Sequence, residues 1–110
     1  METKFGGVNL KTSEVAVIKE GDVFISRHGT KYRPYVVLKV GKKAVLACSL
    51  STTKDIMYVC DVKSRFPWGY IGATVGLHKK DFVKSHIVGV LDNPEEIPQI
   101  ISKLKQKLTL

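Results

Sequence analysis

From Gly21 onward the chain runs in short apolar stretches separated by polar or glycine-containing breaks, and β-branched and aromatic residues fill them. Residues 22–26, 35–40 and 44–50 predict three strands, and residues 56–62, 70–77 and 86–91 predict three more. Gly41 with Lys42 and Lys43 is a hairpin signal, because glycine supplies the positive φ that tight turns require, so the second and third strands are expected to pair antiparallel. About six short strands at close spacing predict a compact barrel or sandwich, since closure removes exposed edges. Residues 1–20 contain Gly6, Gly7 and little regularity, and are expected to form an N-terminal arm ending in an apolar segment at 15–18.

The C-terminus changes period. Ile97, Ile100, Ile101, Leu104 and Leu108 fall on one face of a helix, with Lys103, Lys105 and Lys107 mostly off it. Asn93 is a cap candidate, Pro94 suits a first turn, and Glu95 and Glu96 favour the positive helix end, while Pro98 leaves the start open by about one turn. The three lysines complement the negative end of that helix, so they need no other partner.

A chain of 110 residues fits one domain, taken here as residues 21–110 behind the arm. No apolar run reaches the roughly 18 residues that a membrane span needs, and the N-terminus lacks a signal-peptide pattern, so a cytoplasmic protein without membrane contact is expected. Cys48 and Cys60 sit in strand-like apolar surroundings and read as buried, reduced thiols, with a cross-strand disulfide as the alternative. They form no zinc-site pattern, and neither a metal nor a cofactor is expected.

Charge changes the picture. The net charge is +8, and between Arg27 and Arg65 nine Lys or Arg face only Asp55 and Asp61, a local balance of +7. Cations concentrated in a loop-rich stretch suit phosphate backbones, whose neutralisation releases counterions. Tyr32, Tyr35, Phe66, Trp68 and Tyr70 interleave with Lys31, Arg33, Lys63 and Arg65. Exposed rings there would stack unpaired bases while the cations hold phosphates, and residues 64–70 are the best candidate loop; a hydrophobic loop capping the barrel is the competing reading.

Three motifs in order carry a resemblance. Gly21-Asp22-Val23 precedes Lys31-Tyr32-Arg33-Pro34 and its apolar strand, and Leu50-Ser51-Thr52-Thr53-Lys54 follows the third strand. In this the sequence resembles the PemK/MazF family of toxin endoribonucleases, which show a Gly-Asp opening, an Arg-Pro before an apolar strand, and a Thr-Ser-like segment after the third. Lys79-Lys80-Asp81-Phe82 and Ile87-Val88-Gly89-Val90-Leu91 before the final helix extend the likeness to about Gly21–Leu108.

The resemblance implies a mainly β fold, an SH3-like barrel of about six antiparallel strands with a C-terminal amphipathic helix. It implies a metal-independent endoribonuclease acting on single-stranded RNA, working as a homodimer and controlled by an antitoxin protein. Arg33 matches the family's Arg-Pro arginine, whose planar donor fork suits a phosphate gaining charge. Ser51 or Thr52 falls at the family's hydroxyl position, with the register open by one residue, and His78 is the further candidate for proton exchange. Lys31, Tyr32, Lys54, Lys63, Arg65, Trp68, Lys79 and Lys80 are the expected RNA contacts. Many family enzymes carry an arginine before the late strand, where this chain reads Ala73-Thr74-Val75-Gly76-Leu77-His78. That departure keeps open a non-catalytic RNA-binding or regulatory module, and the barrel itself also admits a protein-interaction domain.

Overall fold

The computed structural model describes residues 2–5, 8–11, 17–28, 30–63, 68–91, 93 and 95–108. Two strands, β1 (Glu2–Phe5) and β2 (Val8–Lys11), pair antiparallel in a two-stranded sheet of their own. The main sheet is built from β3 (Asp22–His28), β4 (Lys31–Val40), β5 (Ala44–Ser51), β6 (Tyr58–Asp61), β7 (Tyr70–Lys79) and β8 (Ile87–Val90). Its order is β6-β7-β5-β4-β3-β8, with every neighbouring pair antiparallel. Register shifts interrupt every one of these pairs except β3 with β4, and such bulges raise the local twist, which curls a six-stranded sheet toward a barrel.

Each of the six expected strands is present. The strand expected at 35–40 begins earlier, at Lys31, because pairing with β3 continues out to the His28↔Lys31 row. Lys31, Tyr32 and Arg33 are exposed, so backbone pairing rather than apolar burial holds this stretch extended.

The continuous apolar run in β4 reflects burial on both faces of the sheet. On one face Val36, Leu38, Cys48, Leu50 and Ile71 pack with Ile97, Ile100 and Leu104 of the C-terminal helix α2 (Glu96–Leu108). On the other, Phe24, Tyr35, Val37, Val45 and Ala47 pack with Val83 of a short helix, α1 (Lys80–Lys84). Each of the three buried α2 side chains contributes roughly 1.5–3 kcal/mol by leaving water, so the helix is held by this stripe. Its start is fixed across the fold: the Lys63 N–H donates to Glu96 Oε1 at 2.9 Å, and the Glu96 N–H donates to the Asn93 carbonyl at 3.0 Å.

Gly41 corrects one expectation. The β4–β5 hairpin forms, but the positive φ among the described glycines belongs to Gly21, at 94°. Gly41 is instead suited by space, since a Cβ there would lie 2.9 Å from the Ala44 carbonyl oxygen, which accepts the Gly41 N–H. Gly21 joins two parts of the fold: its N–H donates to Val37 and its carbonyl accepts from Leu91, both at 2.8 Å. Beside it the buried Asp22 accepts the Lys19 N–H on Oδ2 at 2.8 Å, a local turn that sets the chain into β3. Cys48 and Cys60 are free thiols buried in the core.

Candidate functional site

Alternation along β4 places Arg33 on the same face as Tyr35 and Val37, at the exposed start of the strand. On β5, Ser49 stands opposite Tyr35, and Ser51 follows two residues later on the same face. Arg33, Ser49, Ser51, Thr53, Asp55 and Tyr58 line one small cavity of about 70 Å³, together with Gly72 and Thr74 of β7. Four neighbouring strands and the turn after β5 therefore bring a cation, hydroxyls and a carboxylate to one place. Among the described residues Arg33 has no ion-pair or side-chain hydrogen-bond partner, so its five N–H donors face solvent and any anion that enters.

Of the two hydroxyl candidates, Ser51 lines the cavity. The Thr53 N–H donates to Ser51 Oγ at 3.2 Å, a local side-chain turn that fixes the loop and puts Thr53 into the cavity lining. Thr52 is exposed and outside that lining. The Asp55 carboxylate closes the same turn, with Oδ1 accepting the Met57 N–H at 2.8 Å.

Beyond the cavity Tyr58 starts a second cluster. Its hydroxyl donates a short hydrogen bond to Asp61 Oδ1, and Lys54 Nζ lies 3.9 Å from that same carboxylate oxygen. The ammonium also sits 5.2 Å from the Tyr58 ring centre and 5.6 Å from that of Tyr70, the two rings meeting edge to face at 6.0 Å. The Asp61 hydrogen bond is the main cause that pushes the Tyr58 hydroxyl up to about 12, so the phenol stays protonated across the neutral range.

The other expected contacts divide. Lys31 and Tyr32 stand with Arg33 at the β3–β4 hairpin tip, where Tyr32 is 68% exposed and the Arg27 guanidinium lies 6.0 Å from its ring centre. Lys63 is exposed next to the start of α2. Arg65 and Phe66 lie outside the described residues. Trp68 is half-buried against the α2-side core, so its ring packs on the barrel. Tyr35 is only 2% exposed and stacks on Phe24 at 5.7 Å, so it serves the core rather than bases.

His78, Lys79 and Lys80 are set apart from the cavity. His78 pairs across from Val45, six residues before Ser51 on β5, and its ring lies 5.0 Å from those of Phe24 and Tyr35. Its surroundings are aromatic, and it does not line the Arg33 cavity. Lys79 pairs with Ala44, and the Lys80 N–H donates to the Lys43 carbonyl, so both belong to the β4–β5 turn end of the molecule.

Ser49, Asp55 and Tyr58 were not singled out by the sequence. A period-2 reading of β5 would have found Ser49, the residue two before Ser51; Asp55 and Tyr58 needed the fold, because a turn and a strand edge bring them back. No group of three or more His, Cys, Asp or Glu that could hold a metal ion occurs among the described residues.

No protein-family model matches the chain, and no curated protein matches it. Among solved structures it is similar to an endoribonuclease in complex with its cognate antitoxin from mycobacterial species, with a TM-score of 0.64 and 21% identity. The alignment covers 86% of this chain and 97% of that one. At that identity the likeness shows the fold alone: a small, mainly β, barrel-like fold with a C-terminal helix, shared with that structure. None of the described helices is long and apolar enough to cross a membrane.

Proposed function

We propose that the chain is a metal-independent endoribonuclease of the PemK/MazF toxin type that cuts single-stranded RNA. The observation carrying this reading is the shared cavity of Arg33 and Ser51, which joins the two sequence motifs of the resemblance on the fold of an endoribonuclease. In this reading residues 21–110 form the SH3-like barrel domain behind the arm, and the protein works in the cytoplasm.

The chemistry follows from the groups present. A ribose 2′-oxygen attacks the adjacent phosphorus, its proton passes to a base, the phosphorane gains charge, and the leaving 5′-oxygen takes up a proton. Arg33 holds the phosphate and offsets the added charge through its forked donors. Ser49 and Ser51 orient the non-bridging oxygens. Asp55, the carboxylate of the cavity, takes the 2′-hydroxyl proton, and the leaving 5′-oxygen takes its proton from water, since the Tyr58 proton is held by Asp61. His78 has no role in this scheme, because it lies among rings on another stretch of the sheet. The cationic and aromatic rim at Lys31, Tyr32 and Lys54 would receive the flanking nucleotides.

The partners of the reading are an antitoxin protein, supported by the complex in which the similar endoribonuclease was solved, and a second copy of the chain. The homodimer draws support from Leu77 and Leu108, 73% and 58% exposed. The non-catalytic RNA-binding module stays as the second reading, because residues 73–78 hold no arginine. Incubating the purified protein with a long single-stranded RNA and excess chelator separates the two. Fragments ending in 2′,3′-cyclic phosphate and 5′-hydroxyl support the enzyme; binding without fragments sinks it in favour of the module.

A further inference from the structure

A second groove, more open than the Arg33 cavity, runs along the edge of the sheet. It lies between the terminal strand β6 and the outer side of α2, with a volume of about 740 Å³, inside the roughly 300–1,000 Å³ span of ligand clefts. Lys103, Gln106 and Lys107 line one wall and Tyr58–Asp61 the other. The helix presents these three side chains together because they are spaced i, i+3 and i+4, beside the stripe that Ile97, Ile100 and Leu104 bury. Helix-end complementarity alone does not explain Lys103, which sits before the last turn.

We propose that the RNA-binding surface continues from the Arg33 cavity over Tyr58 into this groove, where Lys103 and Lys107 hold phosphates of nucleotides flanking the reacting bond. The inference rests on the RNA reading above and adds a subsite to it. Continuity is the first argument, since Tyr58 lines both the cavity and the groove. Charge is the second: the acid among the groove residues, Asp61, already has the Tyr58 hydroxyl and Lys54 as partners, which leaves the two helix lysines to set the sign. Aromatic surface is the third, because the half-exposed Tyr58 and Tyr70 rings stand at the junction, where an unpaired base can stack as the backbone turns. The positive charge of Lys103 is also felt within the groove, where it opposes the burial that raises the Cys60 thiol. An acidic extended peptide added to the β6 edge would use the charge but neither the rings nor the path to Arg33.

The test uses the full chain and mixed-sequence 2′-O-methyl oligonucleotides, which lack the attacking hydroxyl, of about 5 and about 15 nucleotides, lengths that bracket common single-strand site sizes. Fluorescence anisotropy compares the wild type with the double variant Lys103→Ala/Lys107→Ala, whose exposed positions leave the core intact; a thermal melt checks the fold. The proposal expects roughly a tenfold loss of affinity for the long oligonucleotide, no change for the short one, and a salt-dependence slope smaller by about 1.4, two phosphates at about 0.7 each. Equal affinities of variant and wild type at both lengths overturn it, as does an equal loss at both. Polyglutamate that binds the wild type and not the variant, with RNA binding unchanged, assigns the groove to acidic peptides and overturns it too. If the wild type binds neither oligonucleotide, the RNA reading itself falls.

Discussion

A Cβ on residue 72 would stand 2.5 Å from the Ser49 Oγ, so only glycine lets β7 pass over that hydroxyl in its present position. Gly72 thereby couples the packing of two strands to the contents of the cavity that holds Arg33.

Gly72→Ala is therefore expected to spare stability and harm function. A serine hydroxyl is a single rotor that can swing aside, which keeps the folding cost to about 1 kcal/mol. The displaced oxygen then leaves the phosphate site, and RNA cleavage is expected to fall roughly tenfold. Melting temperature and cleavage rate measured on one preparation check this; a large loss of stability with normal specific activity would contradict it.

Asp22 gives a pH signature. Burial raises its carboxyl above the ordinary 3.8, outweighing the hydrogen bond and charge of Lys19. A carboxyl raised on folding contributes stability that is full below the unfolded value and is lost as pH rises through the folded value. Asp22→Asn keeps an acceptor for the Lys19 N–H and removes the charge, so it should gain on wild type between about pH 4 and about pH 7. Asp22→Ala loses the acceptor and should cost roughly 1–2 kcal/mol at about pH 4 and less at about pH 7, where it too removes the buried charge. Urea unfolding at the two pH values checks the pair, and parallel wild-type and Asn profiles would speak against a buried charge.

Tyr58 should be the late-titrating tyrosine. In an ultraviolet titration its phenolate appears near 12, and Asp61→Asn, which removes the negative acceptor, brings it back toward about 10. A Tyr58 that titrates normally in the wild type would mean that the hydrogen bond does not form in solution.

The thiols should be slow to react. Burial pushes the Cys48 thiol well above its ordinary value, with Cys60 adding to the effect, and burial likewise raises Cys60. Cys48 is expected to react with a thiol reagent only at the rate of unfolding, because the thiolate is the reactive form, while Cys60, in the wall of the α2–β6 groove, reacts slowly. Labelling of Cys48 in the native protein within minutes would contradict the packing of β5.

The strands were legible because β-branched runs such as 35–40 and 44–50 bury side chains on both faces, and the α2 stripe because Ile97, Ile100 and Leu104 keep a helical period. The N-terminal strand pair was not, since Gly6, Gly7 and mixed polar residues give no alternation that distinguishes a strand from an arm. Arg33 and Ser51 were found through motif order, and the fold brings them together. Asp55 and Tyr58 escaped because a turn and a strand edge return them to the cavity, a relation that no local spacing encodes. His78 was drawn in by residue type, and Lys79 and Lys80 also by motif order; pairing with Val45 and Ala44 puts His78 and Lys79 beside another part of β5, and Lys80 follows at the β4–β5 turn.

The central claim is that Arg33 meets the scissile phosphate. The direct measurement is the rate of cleavage of a long single-stranded RNA, with chelator present, by wild type, Arg33→Ala and a Lys79→Ala/Lys80→Ala control. The expected result is metal-independent cleavage that Arg33→Ala lowers by roughly 10²–10³-fold with an unchanged melt, while the control stays within a few-fold of wild type. Equal rates for wild type and Arg33→Ala, or no cleavage by the wild type, would contradict the account.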